Sequence, residues 1–476
     1  MAASGGASLA RSRAELVGLS HAPGARTVAG WTDAETGVSA VRAVPLPEMV
    51  EATHRAILHG HDPLGESFCR IVPTAERRPL GATYTPPELV EAMVAWVARQ
   101  GEPDRVVDPG VGSARFLVAA GRRFPRAELV GIDVDPFAAL LARGHLAAAG
   151  LGSRARVIVG DFRDVTLPRA SGRTLFIGNP PYVRHHDIAA SWKQWLVATA
   201  KRHDLRASQL AGLHTHFFLA IAERAQPGDT GVLITAAEWL DVNYGHVVRE
   251  LLLGELGVEN IQIIEPAAMP FPGTATTAVI TGFSAGAEPD AVGARRVAEL
   301  AKLGALETDQ QISRERLKAA ARWTLLTRGL PEQREGFVQL GELCRVHRGQ
   351  VTGANRIWVV NEDEVNLPRS VLYPSVTRAR ELIAAKDTLV DDTGLRRVID
   401  LPIDLDRFTP EEQQRIEQFL QTAKARGADQ GFIARHRKAW WSVGLRDPAP
   451  ILATYMARRP PVFVRNMAGA RHINIA

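Results

Sequence analysis

Asn179-Pro180-Pro181-Tyr182 follows directly on the apolar run Thr174-Leu175-Phe176-Ile177 and its closing Gly178. A strand that ends in such a segment brings three groups to one point: an amide oxygen, a backbone carbonyl on a residue whose ring fixes φ and removes the N–H, and a flat aromatic face. Two acceptors converging on an exocyclic amino group hold both of its hydrogens and draw the nitrogen toward a tetrahedral, nucleophilic shape. The ring stacks on the heterocycle that carries the amine. Methyl transfer to an amino nitrogen requires that set. A plain proline turn after a buried strand is the competing reading.

Upstream, Val106-Val107-Asp108-Pro109-Gly110-Val111-Gly112-Ser113 reads as a strand running into a glycine turn that opens a helix. Gly110 and Gly112 let a ligand approach the backbone, and the helix N-terminus offers free N–H groups to a carboxylate. Such a turn alone is common in α/β proteins. The next strand, Leu129–Ile132, ends in Asp133, which is placed to accept from both hydroxyls of a ribose. A third ends near Gly160-Asp161-Phe162, where the carboxylate suits an adenine amino group and the ring can cover the base. Each acid alone also reads as a helix cap, Asp133 or Asp135 before Pro136. Three successive strand tips of this kind describe an adenosine-containing ligand held without a pyrophosphate clamp.

These tips need a parallel sheet to align them. From about Thr83 to Phe283 apolar strands alternate with amphipathic helices, the pattern of an α/β fold. The expected strands are 105–108, 128–133, 156–159, 174–178, 231–235, 260–264 and 277–283. The expected helices are 87–99, 113–123, 136–149, 214–225 and 244–253. Residues 1–80 read as a mostly helical N-terminal extension, with a helix over 47–58 that starts on a proline. Gly286-Ala287-Glu288-Pro289 reads as a linker, beyond which helices over 313–322 and 410–425 mix with short irregular segments.

The chain has 476 residues, 46% hydrophobic and 23% charged, the composition of an ordinary globular protein long enough for two or three domains. No apolar stretch is long enough to span a bilayer, and the N-terminus lacks the apolar core of a secretory signal. Cys69 and Cys344 are the only cysteines, so neither a disulfide framework nor a cysteine zinc site is expected, and a reducing cytoplasm fits. The net charge is +5, and from Gln421 to the end ten Lys/Arg face only Asp429 and Asp447. That basic tail, interleaved with Trp440, Trp441, Tyr455 and Phe463, can neutralise phosphates while its aromatics stack or pack. A solvated charged face is the alternative. His185-His186, His214 and His216 lack a partner carboxylate or cysteine at ligand spacing, so no metal is expected.

With these residues the chain resembles the N6-adenine DNA methyltransferases of the gamma arrangement, the TaqI-like group. The likeness runs through Thr83-Tyr84-Thr85-Pro86-Pro87, the 108–117 glycine turn, Asp133, Asp161-Phe162 and Asn179–Tyr182, and more loosely through Arg348–Asn355 and Arg437–Trp441. It implies a seven-stranded, mostly parallel sheet that binds S-adenosylmethionine over residues 81–285. A mixed α/β target-recognition domain over 286–476, compact or shortened where relatives continue, would bind duplex DNA.

By the same likeness Thr83 and Tyr84 contact the methionine moiety, with Asp108, Gly110 and Gly112 in the loop beneath it. Asp133 holds the ribose, and Asp161 with Phe162 the adenine. Asn179 and Pro180 accept from the target amine, and Tyr182 stacks on the flipped base. Phe271, before the last strand of the sheet, supplies the opposite face. Arg184, Arg348, Thr352, Asn355, Arg356, Arg437 and Lys438 are the expected DNA contacts. Ala114, followed by Arg115, stands where the family loop has its third glycine. A monomer is expected, and a separate cognate restriction endonuclease is the expected companion. Methylation of RNA or of a protein glutamine, or a non-catalytic DNA-binding role, are the rival readings.

Overall fold

The computed structural model describes residues 9–77, 84–170, 172–271, 277–328, 336, 338, 340–454 and 461–473. The chain divides into two compact units, Met1–Gln333 and Arg334–Ala476.

The first unit is built on one sheet. Its strands are β1 (Arg105–Asp108), β2 (Glu128–Asp133), β3 (Ala155–Val159), β4 (Thr174–Gly178), β5 (Thr230–Ala236), β6 (Val258–Ile264), β7 (Ala278–Ser284), β8 (Ala291–Val297) and β9 (Gln310–Ser313). They lie in the order β3-β2-β1-β4-β5-β7-β6-β8-β9. β1 to β5 and the β6–β8 pair run parallel, while β7 is antiparallel to both β5 and β6. β1 and β4 are buried along their whole length, as strands covered by helices on both faces must be.

All seven expected strands form. The segment read as a linker at 286–289 is instead a hydrogen-bonded turn: the Gly286 N–H donates to Glu255 at 2.8 Å and that of Ala287 to Ser284 at 3.0 Å. Gly286 sits at φ +77°, a left-handed position that favours glycine. The turn sends β8 back beside β6, and β9 pairs with β8. The sheet therefore has nine strands, and its unit extends well past the expected boundary at 286. Glycine and proline mark a turn as readily as a linker, which is why the sequence misled here.

The helices of this unit are α1 (Arg13–His21), α2 (Asp33–Ser39), α3 (Pro47–Leu58), α4 (Pro63–Ile71), α5 (Thr74–Arg77), α6 (Pro87–Gln100), α7 (Arg115–Arg123), α8 (Pro136–Ala148), α9 (Ala190–Arg202), α10 (Leu213–Ala222), α11 (His246–Leu253) and α12 (Arg314–Ala319). Local chemistry starts several of them. Asp62 caps α4, accepting from the Gly65 N–H at 2.8 Å with Pro63 in the first turn, and Asp135 does the same for α8 ahead of Pro136. The N-terminal helices are joined to the sheet domain rather than hanging free. Leu16, Ile57, Leu64 and Phe68 share a core with Phe137, Leu140 and Leu141 of α8. Arg143 of α8 forms a fully buried ion pair with Glu35 and donates to the carbonyls of Val28, Ala29 and Val157 at 2.7 to 2.8 Å.

In the second unit β10 (Val359–Val360), β13 (Arg396–Ile399), β11 (Leu372–Val376) and β16 (Arg471–His472) form one sheet in that order. β12 (Thr388–Leu389), β15 (Phe463–Asn466) and β14 (Ile451–Ala453) form another. The helix Pro410–Ala425 opens on a Thr409/Glu412 capping box. Its Ile416 joins Trp358, Val371 and Ile399 in a core against which Trp440 and Trp441 pack. Those two tryptophans of the basic tail therefore serve packing, and Trp441 donates to the Pro402 carbonyl at 3.1 Å. No described helix is long and apolar enough to cross a membrane.

Candidate active site

The carboxyl ends of β1, β2, β3 and β4 open onto one cavity of about 310 Å³. A parallel sheet gathers its loops at this edge, where open α/β sheets take their ligands. Gly110 to Ser113, Asp133, Asp161, Phe162 and Asn179 all line it.

Along the floor, the Gly112 N–H donates to Asp133 Oδ2 at 2.9 Å and the Asp135 N–H to Oδ1 at 3.0 Å. Burial pushes the Asp133 carboxyl up to about 6 despite these bonds. Asp108 is fully buried beneath the loop and accepts from the Gly110 N–H at 3.1 Å. Burial raises it further, to about 8. It supports the turn from below and does not line the cavity. Gly112 lies at φ +51° and Ala114 at φ +69°, so the usual glycine conformation is kept at 114 by an alanine. That backbone state costs a non-glycine residue roughly 1–2 kcal/mol.

At the far end the Asp161 carboxylate is gripped by Arg163, with Nε to Oδ1 at 2.8 Å and Nη2 to Oδ2 at 2.5 Å. Burial raises Asp161, but its bonds to Arg163 outweigh that and hold it below its ordinary value. The Arg163 guanidinium lies 3.8 Å over the Trp192 ring. Phe162 is turned into the core, stacked on Phe217 with centroids 5.7 Å apart.

Asn179 leaves the tip of β4 and stands in the cavity wall, its Nδ2 donating to Thr85 Oγ1 at 3.1 Å. Pro181, rather than the buried Pro180, shares the wall with it. Tyr182 and Phe271 lie together outside the cavity lining, Phe271 only 2% exposed and packed in the main core. Thr83 falls outside the described residues. Tyr84 lines the cavity, and Arg115 lies 5.5 Å over its ring.

Several contributors escaped the sequence reading. Thr85, two residues beyond the expected threonine, is buried in the cavity wall. Arg115 lines the same wall and is held by Asp62 at 2.6 Å, and Asp62 also takes the Ser113 hydroxyl. Burial raises the Asp62 carboxyl, but His145, Arg115 and Ser113 together hold it below its ordinary value. Phe68 of α4 and Trp192 of α9 also line the cavity. Asp62 and Phe68 had no signal in sequence beyond the helix-cap pattern Asp-Pro at 62–63.

The expected DNA contacts are dispersed. Arg184 is exposed just past the Asn-Pro-Pro-Tyr segment. In the second unit Arg348, Arg356 and Lys438 are exposed. Thr352 is buried, and its hydroxyl bonds Asn355 Oδ1 at 2.5 Å inside a turn. Arg437 is half-buried and donates to the Thr352 carbonyl at 2.9 Å. As placed, Thr352 and Arg437 hold this turn together. Among the described residues no three His, Cys, Asp or Glu side chains gather as a metal site.

Comparison with known proteins gives the family. Residues 65–282 match the family described as N-6 DNA Methylase. Residues 326–476 match the C-terminal domain of the type II methyltransferase M.Eco57I. The type II methyltransferase M.XamI of Xanthomonas campestris pv. amaranthicola is 50% identical over 93% of this chain and 83% of its own length. M.AccI of Acinetobacter calcoaceticus is 20% identical over 89% of this chain and 79% of its own. Among solved structures, the type IIL restriction-modification enzyme MmeI in complex with DNA superposes with a TM-score of 0.56 at 12% identity, over 96% of this chain and 72% of that one. The type IIG restriction endonuclease BpuSI gives 0.50 at 14% identity, over 97% of this chain and 63% of that one. These two show the shared fold. By its sequence, the chain belongs to the family of N6-adenine DNA methyltransferases.

Proposed function

We propose that this protein transfers a methyl group from S-adenosylmethionine to N6 of an adenine turned out of duplex DNA, as the modification enzyme of a restriction-modification system. One observation carries the reading: Asn179 stands in the wall of the same cavity that Gly110, Asp133 and Asp161 line. An acceptor for an amine and the features of a nucleoside site thus share one space.

The residues present fit the cofactor. The glycine loop offers backbone N–H groups and Arg115 a guanidinium, the donor set for a carboxylate. The half-buried Asp133 suits a ribose diol. Asp161 suits an adenine amino group, since a carboxylate bound by Arg163 still has lone pairs to spare. When bound, S-adenosylmethionine supplies an already activated methyl group, so no metal is needed.

The chain's own residues supply the rest. An aromatic amine is a weak nucleophile because its lone pair is delocalised into the ring. Acceptors at the Asn179 side chain and the Pro180 carbonyl oppose that delocalisation and favour the positive charge that develops on nitrogen. Holding donor and acceptor together supplies much of the remaining acceleration. Tyr182 stacks on the extruded base, offsetting a few kcal/mol of unpairing and unstacking.

In this reading the first unit is catalytic and the second, residues 334–476, recognises the DNA target. Its exposed Arg348, Arg356 and Lys438, with Arg184 of the first unit, contact the nucleic acid. The order of motifs is that of the gamma arrangement. The enzyme works as a monomer in the cytoplasm, beside a separate endonuclease that cuts the same sequence.

Tritium transfer from labelled cofactor to duplex DNA, RNA and protein tests the proposal. Label is expected in duplex DNA, as N6-methyladenine. Asn179→Ala is expected to lose transfer while still binding cofactor. Label confined to RNA or protein would overturn the assignment.

A further inference from the structure

Granting the methyl-transfer reading, we infer that Thr85 is a positioning residue for Asn179: its hydroxyl holds the amide nitrogen so that the amide oxygen is presented to the target amine. Thr85 is 2% exposed, and its Oγ1 lies 3.1 Å from Asn179 Nδ2. A half-turn about the terminal bond of an asparagine exchanges an acceptor for a donor. Toward an amine that must donate its hydrogens, only the oxygen-forward state is productive. The nitrogen-forward state would set donor against donor. With the hydroxyl oxygen accepting from the nitrogen, the amide already stands oxygen-forward before any base arrives, and that state needs no reorganisation at the moment of reaction.

The threonine is itself held. Its carbonyl accepts from Arg115 Nη1 at 2.7 Å, and Arg115 Nε donates to Asp62 Oδ2 at 2.6 Å. Asp62 caps α4 through the Gly65 N–H at 2.8 Å. Hydrogen bonds thus tie an N-terminal helix, through the helix that follows the glycine loop, to the Thr85 backbone, and the Thr85 side chain to the catalytic amide. Pro86, next in sequence, removes the backbone freedom that would otherwise let the threonine swing.

Thr85→Val keeps the shape and removes the hydroxyl, and Thr85→Ser keeps the hydroxyl. Single-turnover methylation at saturating cofactor, with cofactor Kd from calorimetry, separates the possibilities. The valine variant is expected to lose about tenfold to a hundredfold in rate, the scale of one lost bond to a buried polar group. Its cofactor Kd stays within about twofold and the serine variant recovers most of the rate, as a role confined to the hydroxyl requires. Full rate in Thr85→Val overturns the inference. So does a loss that appears only as weaker cofactor binding, or one shared equally by the serine variant. If Thr85→Val does not fold, Thr85→Ala against Thr85→Ser gives the same contrast. An inactive parent protein would sink the functional reading instead, whereas an active parent with an active valine variant sinks only this inference.

Discussion

The rings of Tyr182 and Phe271 meet edge to face, their centroids 5.6 Å apart and their planes at 65°. No third ring fits between rings in that contact, so a base that stacks on both must part them. Burial also pushes the Tyr182 phenol well above its ordinary value, and its buried oxygen finds no hydrogen-bond partner among the described residues.

Tyr182→Phe is therefore expected to retain activity and to match or exceed the parent in stability, because a buried unpaired hydroxyl costs roughly 1–3 kcal/mol. Tyr182→Ala should lose about 1–3 kcal/mol of base stacking. Fluorescence of 2-aminopurine at the target position would read that as a smaller flipped fraction. Phe271→Ala should cost about 3–5 kcal/mol in urea unfolding, as truncation of a buried phenylalanine does. A Tyr182→Phe protein as impaired as Tyr182→Ala would assign the work to the hydroxyl and not to the ring.

In the proposed function, Asp133 links cofactor affinity to pH. Its carboxyl titrates near 6, and its ionised form is the better acceptor for a ribose diol. Affinity for S-adenosylmethionine should be flat above about pH 7 and should weaken by up to about tenfold per unit below 6, the slope of one proton. Isothermal titration from pH 5 to 8 checks this. Asp133→Asn should bind more weakly at neutral pH and lose the acid slope. A slope unchanged in that variant would assign the titration elsewhere.

Asp108 makes the same kind of argument for stability. Its carboxyl titrates near 8 when folded, against an ordinary 3.8. Between those values the folded state holds a proton that the unfolded chain has released, so stability falls as pH rises through that window. Asp108→Asn removes the titration. Its stability relative to the parent should improve by several kcal/mol from pH 4 to pH 8, because one pKa unit is about 1.4 kcal/mol. Urea melts at both pH values would show it, and a constant difference between variant and parent would refute it.

Glu35 and Arg143 are both fully buried and joined by two contacts. Glu35→Ala leaves a buried guanidinium without its counter-charge, and removal of one partner of such a pair costs about 3–5 kcal/mol. Replacing both with Glu35→Leu and Arg143→Met removes the uncompensated charge but takes a donor from the Val28, Ala29 and Val157 carbonyls, so it should recover only part of the loss. Chemical denaturation of the two single variants and the double closes the cycle.

Much of the cavity was legible because its residues sit where strands end. Asp133 and Asn179 each close an apolar run, and in a parallel sheet such endings must share one edge. The expected threonine, Thr83, lies outside the described residues, and Thr85, which lines the cavity, was not singled out. Two threonines flank Tyr84, and a strand-free segment carries no periodicity to choose between them. Asp62 and Phe68 come from the cap and body of one helix, α4, far earlier in the chain, and only tertiary packing brings them to the glycine loop. β8 and β9 were hidden by the Gly286 turn. Thr352 and Arg437 read as nucleic-acid contacts because residue type alone does not reveal whether a polar group faces outward or satisfies a nearby backbone.

Ala29, ahead of α2, pairs with Arg156 of β3 in an isolated parallel bridge. β3 is the outermost strand on its side of the sheet, and this short stretch of backbone occupies its outer hydrogen-bonding groups, the Ala155 carbonyl and the Val157 N–H. Trimming the first eighty residues to isolate a minimal methylase would strip off that cover. The bared strand would be a template for pairing with another molecule, so the trimmed protein should precipitate or polymerise rather than merely soften.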